Sequence, residues 1–275
     1  MWFPLSLITA LIVGCSDAIA KKTMEKTRPQ TMALVRPGWA IFFLIPFALG
    51  AQRPVSLWEF WEPVLYAIPL EVVASLVFHH ALKSSPLSTT IPYMAFTPVF
   101  VLLTGWFFLG EIISFQGAMG IACVTMGALA LQPPSLSKAG KGALLILLVA
   151  LIYSVTAVLA KKAMVASSPV YFGAVYYTLL AVCLIPFQTG SPQWGKEFFA
   201  RPTLFALIGL LEAAALVLQF TAFQSGNVAY VIAIKRLSLL LSVFFGWIIF
   251  REKHFLWRIL AAGLMATGAV LIGLV

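Results

Sequence analysis

The chain has 275 residues, of which 61% are hydrophobic and only 10% charged, with a mean hydropathy of +1.00; soluble domains carry roughly a quarter charged residues. That balance excludes a soluble enzyme or binding domain and points to a protein that crosses the bilayer many times. The formal net charge of +9 implies no nucleic-acid partner, because the cations lie in the connections between apolar stretches.

Ten apolar stretches of membrane-spanning length are predicted, at 2–20, 33–51, 63–82, 86–109, 113–131, 142–160, 171–188, 203–222, 228–250 and 255–274. Each is expected to be a helix, since hydrocarbon offers no partner for backbone N–H and C=O groups and barrel strands would be shorter and alternate in polarity. The first stretch lacks a basic leader and a small-residue cleavage site, so it reads as a retained helix and not a signal peptide. Cys15, Cys123 and Cys183 fall inside predicted spans without metal-ligand spacing and read as packing residues.

Counting Lys and Arg by connection, thirteen follow odd-numbered stretches, Arg36 among them, and three follow even-numbered ones. The positive-inside rule then places the odd connections in the cytoplasm and both termini outside, in a multi-pass protein of the bacterial cytoplasmic membrane. Lys235 and Arg236 belong to neither set. They sit side by side within the ninth stretch, in "AYVIAIKRLSLLLSVFFGW".

The chain also repeats itself. "AIAKKTM" (18–24) answers "VLAKKAM" (158–164), and "LIPF" recurs at 44–47 and 184–187, both at an offset of 140; further on, at an offset of 141, Glu71 matches Glu212, "GWFFLGE" (105–111) matches "GWIIFRE" (246–252), and Gly127 matches Gly268. Two copies are therefore read, 1–131 and 142–275. Each holds five helices, an odd number, so the second copy enters the membrane inverted relative to the first, the arrangement that underlies alternating access.

Two halves with the tails "LGEIISFQGAMGIACVTMGALAL" and "FREKHFLWRILAAGLMATGAVLI" resemble the EamA-type branch of the drug/metabolite transporter superfamily over nearly the whole chain. The resemblance implies a ten-helix all-α carrier, with a central cavity lined mainly by helices 1, 3, 4, 6, 8 and 9 and no ATP-driven machinery. "GNVAYVIAIKRLSLLLSVFF" is also similar to the helix-9 segment of plastid sugar-phosphate/phosphate translocators, in which a Lys-Arg pair contacts phosphate; by that likeness Lys235 and Arg236 would do so.

A charged side chain near the bilayer centre needs a partner or a watery cavity. Four stand out: Lys235, Arg236, and the repeat-related Glu71 and Glu212. The positions equivalent to the cations are Met94 and Ala95, so the scaffold does without cations there, and the pair is expected to meet an anionic part of the cargo. Arg supplies a planar fork and Lys a compact point charge. The glutamates suit a symmetric architectural role, substrate contact or proton relay, with protons the candidate coupling ion. Tyr93, Gln219, Gln224 and Asn227 are further candidates for the lining, although polar residues in membrane helices more often bond a neighbouring helix.

Other polar residues have simpler readings. His79 and His80 read as solvated residues ending the third stretch, and Asp17 as the i,i+4 partner of Lys21. Glu111 and Glu252 read as carboxylates at the N-termini of the fifth and tenth helices. Pro92 and Pro98 are expected to kink the fourth helix, and Trp2, Trp39, Trp58 and Trp61 to anchor at the membrane interface.

No enzyme motif is found, neither HExxH nor a nucleophile elbow nor an acid cluster at metal-ligand spacing, and no cofactor is expected. The function expected is secondary-active transport of a small polar metabolite carrying an anionic group. The alternatives are an exporter of amino acids or amines that uses Glu71 and Glu212, or a membrane protein that does not transport. The fused repeat can form its cavity as a monomer or weak homodimer.

Overall fold

The computed structural model describes residues 1–84, 91–131, 140–188, 193–241 and 255–275. Among them every regular element is helical. The main helices are α1 (Trp2–Met24), α2 (Pro29–Ala48), α3 (Leu57–Ser84), α4 (Thr97–Leu109), α5 (Phe115–Ala130), α6 (Gly140–Val165), α7 (Pro169–Leu184), α8 (Pro202–Ser225), α9 (Val228–Lys235) and α10 (Phe255–Gly273). A 3₁₀ turn, Ile91–Phe96, precedes α4, and a short helical turn, Trp194–Phe198, lies between α7 and α8.

Among the described residues six helices are long and apolar enough to cross a membrane: Trp2–Met24, Pro29–Ala48, Leu57–Ala81, Gly142–Val165, Pro169–Phe187 and Pro202–Ser225. Tyr93–Leu109, Phe115–Ala130 and Ile259–Gly273 are shorter apolar helices. The outer surface carries exposed large apolar side chains such as Leu11, Phe47, Leu65, Trp106 and Phe107. Water would make such a surface aggregate, whereas lipid solvates it. The chain is a multi-pass membrane protein.

Several boundaries differ from expectation for local reasons. α2 begins at Pro29, not 33, because proline is well placed in the first turn of a helix, where its missing N–H costs nothing. Pro98 likewise starts α4 instead of kinking it, with Pro92 in the 3₁₀ turn before it. The ninth stretch is not one uniform helix: α9 ends at Lys235, and the next hydrogen bonds, Leu237 N–H to Ile234 O and Leu239 N–H to Arg236 O, are of the tighter i→i−3 kind. Residues 242–250 of that stretch lie outside the described residues, as do Lys138, Arg251, Glu252 and Lys253.

α1 packs along α8 and α3 along α6, while α2 meets α7, α4 meets α9 and α5 lies against α10. The last pair is held by glycine. A Cβ at Gly268 would come within 2.6 Å of Gly120 O and 2.7 Å of Val124 N, so the two backbones nearly touch, as small residues allow in membrane helix pairs.

Glu111 corrects its expected role. It follows Gly110, whose φ of +66° ends α4 in the left-handed conformation that glycine adopts without strain. Its carboxylate does not serve α5, which is capped by Ser114 Oγ accepting from Gly117 N–H. Instead Glu111 Oε2 accepts the Val228 N–H at the start of α9 (2.9 Å), and Oε1 pairs with Lys161 Nζ (2.6 Å), which also donates to Gly226 O (2.8 Å). The carboxylate thus satisfies the N-terminus of a helix distant in sequence. Trp2 stacks on Tyr230, and Trp39 packs against Gly209 while donating Nε1–H to Phe198 O (3.1 Å).

Gly268→Ala is expected to destabilise the protein by about 1–3 kcal/mol, because the contacting atoms are backbone and cannot yield. Gly263→Ala on the same helix, where a Cβ meets nothing within 4 Å, is expected to be neutral or to stabilise by about 0.5–1 kcal/mol. Thermal denaturation of both variants in detergent checks the contrast.

Candidate functional site

A cavity of about 240 Å³ lies among the helices. Its polar lining comes from Asp17 on α1, Arg36 on α2, Glu71, Ser75 and His79 on α3, Tyr153 and Thr156 on α6, Tyr176 and Tyr177 on α7, Glu212 and Gln219 on α8, and Lys235 and Arg236 at the end of α9. Three carboxylates thus face three cations across one small volume. Helices 2 and 7 contribute to it beyond the set that the resemblance implied.

Lys235, Arg236, Glu71, Glu212 and Gln219 all line the cavity. Tyr93 lies apart from it, half-buried against the small apolar cluster of Met94, Ile146, Val149 and Ala150. Glu71 and Glu212 reach the site from near the middle of α3 and α8, their matched positions placing one carboxylate on each.

The two glutamates make different bonds. Glu212 Oε1 lies 3.2 Å from Arg36 Nε and accepts a hydrogen bond from Ser16 Oγ at 2.8 Å, and Arg36 Nη2 also donates to Asp17 Oδ1. One guanidinium therefore joins α1, α2 and α8. Glu71 Oε2 accepts from the Tyr176 hydroxyl at 3.1 Å. Among the described residues no Lys, Arg or His nitrogen lies within 4.0 Å of its carboxylate.

The two cations at the end of α9 are also unlike. Lys235 Nζ donates to Gln219 Oε1 at 2.6 Å. Arg236 Nε is buried and has no hydrogen-bond partner among the described residues. Neither cation forms an ion pair with Glu71 or Glu212.

Arg36 is the main residue that sequence reasoning misplaced. Counted with the loop cations, it is the eighth residue of α2, its side chain only 19% exposed. Asp17 belongs to the same network. His79 is buried instead of solvated, with Nδ1 2.7 Å from Ser75 O. Tyr153, Tyr176 and Tyr177 carried no distinguishing signal, because tyrosine is common throughout membrane helices and near their ends.

The EamA-like transporter family model matches residues 1–131 and again residues 140–274. The riboflavin transporter of Rhizobium johnstonii is 28% identical over 263 residues, covering 91% of this chain and 83% of that protein. A solved crystal structure superposes with a TM-score of 0.79 at 18% identity, covering 99% of this chain and 98% of its own; that likeness concerns the fold alone. With a family match that takes in nearly every residue, the chain belongs to the EamA-like transporter family.

Proposed function

We propose that this membrane transporter is a secondary-active carrier that moves a small polar metabolite with an anionic group by alternating access. The observation that carries this reading is the state of the α9 cations. Lys235 and Arg236 face the cavity without a carboxylate partner, and Arg236 Nε is buried without any acceptor among the described residues. A buried N–H with no acceptor is costly unless something supplies one. An anionic cargo group does so, in the two-pronged geometry that Arg favours.

Alternating access rests on reading the chain as ten transmembrane helices in two inverted repeats, 1–131 and 142–275. The double family match supports that division. So does the packing: α1 with α8 is the counterpart of α6 with α3, while the α2–α7, α4–α9 and α5–α10 pairs each join counterparts. The backbone tightens to i→i−3 bonding at Ile91–Phe96 in one repeat and after Lys235 in the other, and these stretches hold the equivalent positions Met94-Ala95 and Lys235-Arg236. Interrupted helices near the midplane are a common feature of carrier binding sites. The charge asymmetry of the connections supports a placement with both termini outside the cytoplasmic membrane, and one chain supplies the whole cavity.

A second reading has its own support. Phe78, Tyr153, Tyr176, Tyr177 and Phe220 offer aromatic surfaces around the cavity, suited to a planar ring, and the curated relative is named a riboflavin transporter. Here the cargo is a flavin-like heterocycle, and Arg236 donates to a ring acceptor in place of an anion. Export of an amine through Glu71 and Glu212 is less well supported, because Glu212 is already engaged by Arg36 and Ser16.

A thermal-shift panel of phosphates, carboxylates, riboflavin, amino acids and amines on the purified protein separates these readings, since a cognate ligand well above its Kd raises the melting temperature. Anions are expected to stabilise and amines not to. Lys235→Met and Arg236→Gln are each expected to weaken that anion's binding about 10-fold or more, the scale of a lost charge-assisted hydrogen bond. A response confined to riboflavin favours the second reading, and unchanged anion binding in both variants rules out the first.

Arg36→Gln is expected to act on stability. It leaves Asp17 and Glu212 without their shared cation, at a cost of about 3–5 kcal/mol. Adding Glu212→Gln is expected to recover part of the lost melting temperature, and denaturation of the single and double variants measures the coupling.

A further inference from the structure

We propose that Glu71, and not its repeat counterpart Glu212, is the proton-binding carboxyl that couples this carrier to a proton gradient; the inference rests on the anion-transport reading above.

The two glutamates occupy equivalent positions but have diverged in what holds them. Glu212 has a cation at 3.2 Å and is locked into the Arg36–Asp17 network. Its charge is spoken for. Glu71 lines the cavity and is held by the Tyr176 hydroxyl at 3.1 Å.

The groups facing Glu71 leave it without a close counter-ion. On its own helix, His79 is engaged at Nδ1 with Ser75 O. From α2, Arg36 is committed to Asp17 and Glu212. α6 presents Tyr153 and α7 presents Tyr176 and Tyr177, all phenols. From α9, the Lys235 ammonium is bound to Gln219 Oε1 at 2.6 Å, and Arg236 lines the same cavity without an ion pair to Glu71; α1 and α8 present the carboxylates Asp17 and Glu212. A carboxylate in a membrane cavity, held by a phenol hydroxyl and with no cation within 4.0 Å among the described residues, is neutralised by a proton.

The charge balance of the cavity then sets the sign of coupling. With Glu71 ionised, three carboxylates face Arg36, Lys235 and Arg236, and the cavity has no formal excess of charge. Once a proton from the bulk bonds to a Glu71 carboxylate oxygen, the three cations face two carboxylates, and the excess positive charge favours an anion. By linkage, bound anion favours the proton equally. Proton and anion therefore travel together, and both leave when the cavity opens to the other side.

Two measurements on the full-length protein in lipid decide this. Infrared titration of the ligand-free protein is expected to show a protonated-carboxyl band that disappears as pH rises, is absent in Glu71→Gln and is retained in Glu212→Gln. Sulfate, which keeps its charge between pH 5.5 and 8, serves as the anion probe. Above the titration of Glu71 its affinity is expected to fall about tenfold per pH unit, the slope for one linked proton. The slope is expected to vanish in Glu71→Gln and survive in Glu212→Gln.

A carboxyl band that persists in Glu71→Gln, or a pH slope lost only in Glu212→Gln, overturns the assignment. Sulfate that fails to bind at any pH counts against the anion reading, while the infrared titration still decides whether Glu71 carries the proton. Should both variants fold too poorly for titration, Glu71→Asp, which keeps the carboxyl, is expected to retain the band at a shifted midpoint; absence of the band there also overturns the assignment.

Discussion

The Arg36 guanidinium, held between Asp17 on α1 and Glu212 on α8, is the interaction on which the polar centre of this bundle depends. Charges in a membrane interior are tolerated only when paired or wet. This single cation offsets two carboxylates and, from its place on α2, links the two halves of the chain across the cavity. Because it occupies Glu212, Lys235 and Arg236 are left without that partner. The charged residues of the cavity thus divide into one closed network beside an open one.

That division follows from the way the scaffold treats its two copies. The helix pairings fall into matched sets, and a glutamate stands at the equivalent point of α3 and α8. The chemistry differs between them. Met94 and Ala95 stand where the second copy has Lys235 and Arg236, and Glu71 meets Tyr176 where Glu212 meets Arg36. On the proposed reading, such a frame moves between two arrangements of similar energy while one set of side chains recognises the cargo. On that reading the frame supplies the motion and the asymmetry supplies selectivity and coupling.

Sequence alone conveyed the membrane class, the family resemblance and five of the cavity residues, because charge inside an apolar stretch is conspicuous. Arg36 escaped for the opposite reason. It lies only a few residues inside the predicted boundary at 33, so it is counted with the connection cations, and the packing of α2 on α8 shows it to be interior. Glu111 was assigned to its neighbour α5, whereas tertiary structure brings it to the N-terminus of α9, more than a hundred residues away. Helix-end rules capture local partners and are silent on distant ones. The cavity tyrosines were invisible because no spacing separates a tyrosine facing a cavity from one facing lipid.

The central claim is that Lys235 and Arg236 serve a carried anion. Counterflow in liposomes reconstituted with the purified protein tests it most directly: vesicles are preloaded with one anion, and entry of the same labelled anion is followed with amines and riboflavin as competitors. The account predicts saturable entry that depends on the preloaded anion, is inhibited by other anions and is insensitive to amines. Entry that does not saturate, or that responds to amines and not to anions, would contradict it.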